Sequence, residues 1–247
     1  MSRYVPDVGS TSVVKPWTFV DFILVWLGGF VGTGVFFAIG YFIDSDDVSF
    51  VLALAGQYVG NLGVLWLLRR SKDNAGLGFS IEPRDVFYIG AGLGLQFILA
   101  LAFLPISQWL FPDGVPPQQV AEMLGDGDAT MLVRLSLIVA AVVLAPVTEE
   151  LVFRGVLLRS FENHSRRLAM VVTAAIFSAV HILGLDPDRL LASAVVVLPP
   201  IFVLGLVLAW LTLRTKRLGP AIFLHSGWNL LAAVVLLLPP ELLEQVG

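Results

Sequence analysis

Three short stretches carry side chains that could do chemistry: "EELVFRG" at 149–155, "FSAVH" at 177–181 and "HSGWN" at 225–229. Each lies within or at the end of an apolar run. An ionisable side chain inside a membrane span costs about 3 kcal/mol even on lenient scales. Glu149, Glu150, Arg154, His181, His225 and Asn229 therefore need partners or a purpose. Residues four apart on a helix share a face. Glu150 and Arg154 are such a pair, in the favoured order of acid before base. His225 and Asn229 are a second pair, and Phe177 and His181 a third. Glu149 stands one step round from Glu150 and has no local partner.

The runs around 150 and 180 read as two antiparallel helices whose tip lies near residue 165. Glu149 falls 16 residues before that point and His181 falls 16 after it, so the two sit at similar depth. His225 enters from the same side, about nine residues beyond "RTKR". The counting places Glu149, His181 and His225 together in the inner half of the bilayer. A carboxylate beside imidazoles can act as a general base on water. A further imidazole and an amide can donate hydrogen bonds to a developing oxyanion. Together these groups would hydrolyse a peptide bond without a serine or cysteine nucleophile. Glu149, His181 and His225 are also of the donor types that ligate zinc.

The elements that must position these groups are transmembrane helices. The chain has 247 residues, 57% hydrophobic and 14% charged, with a mean hydropathy of +0.87. A soluble domain is nearer half apolar and one quarter charged. Several runs reach the roughly 20 apolar residues that cross a bilayer. The fold class expected is all-α, a polytopic transmembrane bundle of about seven spans, within a range of six to eight. The spans read as 18–43, 49–68, 86–111, 130–152, 168–185, 191–213 and 218–238. Residues 1–17 and 239–247 read as polar tails, 18–129 as N-terminal membrane helices and 130–238 as the core that carries the motifs. Pro199 and Pro200 predict a kink in the sixth span. The small-residue run "GGFVGTG" at 28–34 predicts close helix packing. The six tryptophans read mostly as an interfacial belt. The absence of cysteine excludes disulfides, Cys-ligated zinc, Fe–S clusters and thiol catalysis.

The loops alternate in sign. One side of the membrane holds thirteen of the fifteen Lys and Arg residues, and only Arg134 and Arg189 fall on the other. The positive-inside rule then places the N-terminus in the cytoplasm and the C-terminus outside. The plasma membrane is the expected location, and nothing in the charge pattern suggests a nucleic-acid partner.

"EELVFRG" fits EExxxR, "FSAVH" fits FxxxH and "HSGWN" fits HxxxN. In this order, on successive spans, they resemble the CPBP family of intramembrane proteases, also called the Abi or CAAX-protease family, which includes the Rce1-type prenyl-protein endopeptidases. The resemblance covers roughly residues 130–238. It implies an intramembrane endopeptidase acting, from the cytosolic side, on a membrane-embedded or lipidated protein or peptide. It gives Glu149 the role of base, His181 that of holding or activating water, and His225 and Asn229 that of the oxyanion site. Glu150, Arg154 and Phe177 become supporting residues. The family was first described as metal-dependent, so a zinc ion on Glu149, His181 and His225 is the cofactor to test. The alternative is a non-catalytic protein of the same fold, serving bacteriocin immunity or partner binding. A proton- or ion-coupled transporter is a third reading, which lacks the inverted repeat such proteins show.

Other patterns read as structure. "GDGD" at 125–128 contains the GxGD pattern of aspartyl proteases but lies in an acidic, Gly-rich loop. "GFS" at 78–80 is similar to a rhomboid serine motif but sits in a basic loop. No HExxH motif occurs. His164 falls at the solvated hairpin tip.

Overall fold

A computed structural model describes residues 16–43, 45–72, 76–112, 129–161 and 164–237. The polar tails and "GDGD" lie outside these residues, apart from the last two of the N-terminal tail. Among the described residues the secondary structure is helical throughout. The helices are α1 (Phe19–Tyr41), α2 (Asp46–Arg69), α3 (Phe87–Leu110, entered through a 3-10 turn at Pro83–Val86), α4 (Met131–Ser160), α5 (Arg166–Ala179, leaving through a 3-10 turn at Val180–Gly184), α6 (Leu190–Thr215) and α7 (Gly219–Leu237). The first six helical stretches are long and apolar enough to cross a membrane, and α7 has 19 residues. The protein is an integral, multi-pass helical bundle.

Helix starts follow local chemistry. Thr18 caps α1 with a reciprocal box to Asp21, and Lys72 fixes the same carboxylate at 2.7 Å. Ser45, Thr130 and Ser165 cap α2, α4 and α5 through their hydroxyls. The α1–α2 hairpin is closed by glycine, as "GGFVGTG" predicts. A Cβ on Gly32 would strike the carbonyl of Gly56, and one on Gly60 would strike that of Gly28. The backbones approach so closely that only glycine fits. Gly60→Leu is expected to destabilise the protein by about 1–3 kcal/mol, the usual range for overpacking, read by thermal unfolding in detergent; an unchanged transition would show that the hairpin tolerates separation.

The remaining helices surround α4. Helix α3 packs on α7, α5 on α6, and α2 on α1 and α4. One packed core fills the half of the bundle nearer the basic loops. It joins Phe22 and Val25 of α1, Leu65 of α2, Leu77, residues 151–157 of α4, Leu204, Leu208 and Leu211 of α6, and Leu218 to Leu224 of α7. A clasp seals this end. Arg217 forms a two-pronged pair with Asp85 at 2.9 and 3.0 Å. Leu218 and Gly219 donate backbone bonds to Gly78 and Ser80. The "GFS" segment is thus a structural strap, and Gly78 occupies a left-handed conformation (φ +67°) that suits glycine.

Two expectations change. The fourth span ends at Ser160, not near 152, because the amphipathic segment after Glu149 stays buried in the core. Trp228 does not belong to an interfacial belt: it lies within α7 and faces an internal cavity.

Candidate active site

Helix α4 contains two π-helical segments, Ala140–Leu144 and Glu150–Leu157. Such widened turns leave carbonyls out of the regular ladder. In the first, the Ala145 N–H reaches back to Ala140 instead of Ala141. Pro146 has no N–H to offer in its place. The Ala141 carbonyl is instead satisfied by Asn229 Nδ2 at 2.7 Å. Asn229 therefore ties α7 to the bulge in α4 and spends one of its two amide hydrogens there. Asn229→Asp puts an acceptor against an acceptor. It is expected to cost about 1–3 kcal/mol of stability, as for an unpaired buried carbonyl. Thermal unfolding reads it, and wild-type stability would mean that this bond is dispensable.

Glu149 and Glu150, adjacent on α4, point about 100° apart, as neighbours on a helix do. Glu150 is fully buried and Glu149 keeps 31% of its side chain exposed. Glu150 Oε1 accepts from Arg154 at 3.1 Å and from His225 Nδ1 at 3.1 Å. Arg154, also fully buried, donates to the Gly205 carbonyl of α6 at 3.2 Å. Its guanidinium lies 4.4 Å from the Phe177 ring centre. With Nδ1 on a carboxylate, His225 turns Nε2 toward Glu149 Oε2, 3.8 Å away. That separation is too long for a hydrogen bond. Glu149 Oε2 has no hydrogen-bond partner among the described residues.

Phe177 is the hub of the cluster. His181 and His225 both meet its ring in edge-on contacts, at 5.0 and 5.6 Å between centroids, and Phe153 meets it at 5.1 Å. His181 Nδ1 donates to the Phe177 carbonyl at 2.7 Å, because a carbonyl can only accept. This fixes the tautomer and leaves a lone pair on Nε2.

Glu149, His181, His225 and Asn229 line one cavity of about 720 Å³. Its walls are otherwise mainly apolar, with polar groups from Gln57, Tyr58, Gln96 and Ser107. The sequence reading passed over these four. Their signal was polar side chains inside apolar runs, "GQYVGN" at 56–61 being the clearest. Tyr58 lies within electrostatic reach of Glu149.

The zinc set does not assemble. Among the described residues no group of three His, Cys, Asp or Glu side chains is placed to hold a metal ion. A catalytic zinc takes three protein ligands, and Glu149, His181 and His225 do not supply them in this arrangement.

Glu149, His181, His225 and Asn229 thus line one cavity, with Glu150 and Arg154 paired in the adjoining core and Asn229 engaged by backbone. No curated protein and no solved structure gives a significant match to the chain. Residues 131–231, which span α4 to most of α7, match the family model of Rce1-like type II CAAX prenyl endopeptidases, and this likeness supports an intramembrane protease-type role.

Proposed function

We propose that the protein is an intramembrane endopeptidase in which Glu149 activates water against a peptide bond of a membrane-anchored protein. The observation that carries this reading is the divergence of two adjacent glutamates. Glu150 is neutralised in the core by Arg154, whereas Glu149 lines the cavity, with its Oε2 unpaired among the described residues and 3.8 Å from His225 Nε2.

The steps follow from the donors and acceptors. Water entering the cavity donates one hydrogen to Glu149 and can donate the other to His181 Nε2, whose lone pair is held ready by the Phe177 carbonyl. Glu149 takes the proton as the water oxygen attacks the scissile carbonyl carbon. The developing oxyanion is met by His225, when Nε2 carries a proton, and by the second amide hydrogen of Asn229. Glu150 acts through His225: by accepting from Nδ1 it sets the ring orientation. Glu149 then passes its proton to the leaving nitrogen, and the C–N bond breaks.

The test is a comparison of protein termini in membranes from cells that express wild type or Glu149→Gln. New termini that appear only with wild type are expected. Identical termini in both would refute the proteolytic reading.

A further inference from the structure

Part of the cavity wall comes from helices that precede residues 131–231. Helix α2 supplies Gln57 and Tyr58, and α3 supplies Gln96 and Ser107, among apolar neighbours. Of these four polar side chains, Gln96 is the one with a buried atom left unpaired. Its Oε1 is shielded from solvent and has no hydrogen-bond partner among the described residues. Buried polar groups in folded proteins are nearly always paired. An orphan acceptor on a cavity wall therefore marks a bond that an occupant can complete.

The packing of α3 against α7 fixes where that amide sits. Both helices start at the basic end, where Gly219 donates to the Ser80 carbonyl and Arg217 pairs with Asp85, so they run parallel. They then meet backbone to backbone. A Cβ on Gly92 would strike the Leu224 carbonyl and the Trp228 N–H, and one on Gly227 would strike the Ile89 carbonyl. These contacts hold the two helices in register, with Gly92 level with the turn at 224–228. Gln96 lies four residues farther along α3, so it falls level with about residue 230 of α7 at 1.5 Å per residue. That is the depth of Asn229, and one turn beyond His225. Asn229 already gives one amide hydrogen to the Ala141 carbonyl. Gln96 adds an unpaired acceptor from the neighbouring helix at the same depth.

An extended peptide advances about 3.3 Å per residue, so one helical turn of about 5.4 Å spans one to two of its residues. In an apolar cavity within a bilayer, each of its N–H groups must be met by protein. We infer that Gln96 is a substrate-binding residue, whose side-chain oxygen accepts from a backbone N–H of the substrate polypeptide one or two residues from the bond that is cut. This rests on the proteolytic reading with the oxyanion at His225 and Asn229, and the experiment below distinguishes a failure of either.

A peptide spanning a Glu149-dependent cut is made in its natural form and with single ester replacements of the N–H at each residue within two of the cut. Kinetics are measured with wild type and with Gln96→Met, which keeps the length of the side chain and removes the acceptor. Gln96→Met is expected to raise KM about tenfold, as loss of one hydrogen bond does. Its kcat should stay within about twofold, because the lost binding is shared by ground and transition states. One ester position should raise KM to a similar extent with wild type and add nothing with Gln96→Met. Thermal unfolding of Gln96→Met should come no earlier than that of wild type, since Oε1 has no partner to lose in the free protein. An unchanged KM in Gln96→Met, or ester and side-chain effects that multiply at every position, would overturn the role of Gln96 and leave the protease reading standing. Earlier unfolding with an unchanged KM would make Gln96 a support of the fold instead. Absence of any Glu149-dependent cut would refute the protease reading and the role of Gln96 with it.

Discussion

Glu149→Gln is expected to lower turnover by about 10³-fold, inside the range that general acid–base catalysis supplies, while leaving the fold intact. The two halves of this expectation have separate causes. The amide cannot take a proton from water, so the loss appears equally in kcat and kcat/KM. Stability is preserved because Glu149 is partly exposed to the cavity, and its nearest ionic partner, His225, is 3.8 Å away. A change in unfolding free energy within about 0.5 kcal/mol is the usual outcome for a side chain without packed partners. Glu149→Asp tests geometry: the charge remains but is drawn back toward α4 and away from Nε2 of His225. It should fall between wild type and Glu149→Gln. Turnover assays paired with thermal unfolding in detergent decide the matter. Wild-type turnover in Glu149→Gln would mean that the carboxylate is not the base.

The second large effect is on stability and concerns the neighbouring residue. Glu150→Leu leaves the Arg154 guanidinium in the core with only the Gly205 carbonyl and the Phe177 ring. Removing one partner of a buried ion pair costs about 3–5 kcal/mol, because the other charge is left uncompensated. Arg154→Met should be similarly damaging, since Glu150 would keep His225 alone. The double variant Glu150→Leu/Arg154→Met is expected to recover most of the lost stability, as buried pairs replaced together by apolar residues often do. Its turnover should nevertheless stay low. With Glu150 absent, nothing accepts from His225 Nδ1, and the ring facing Glu149 loses its orientation. This split between restored folding and lost turnover distinguishes a positioning role from a purely structural one. A single variant that unfolds as late as wild type would contradict the account of the pair.

The sequence by itself determined the membrane class, the order of the spans and the three motifs. These rest on length, apolarity and i,i+4 spacing, which are local properties of a helix. The Glu150–Arg154 pair and the Gly-mediated contact of α1 with α2 were legible for that reason. So was the meeting of Glu149 and His225, because counting residues along helices that cross a layer of fixed thickness fixes depth.

Only the tertiary structure decided the rest. The two π segments of α4 depend on what accepts the carbonyls they release, and the acceptor's partner, Asn229, is 88 residues away. Adjacent residues on a helix diverge by about 100°, but which of the two glutamates meets the cavity and which the core depends on the helices packed against each face of α4. The zinc set on Glu149, His181 and His225 was sound as chemistry, but among the described residues no three such side chains are placed around a common point. Which half of the bundle is solid and which is hollow depends on how large side chains from five helices pack together. Periodicity shows that Leu151, Leu208 and Leu218 face inward, but only their packing in space shows that they meet in one core.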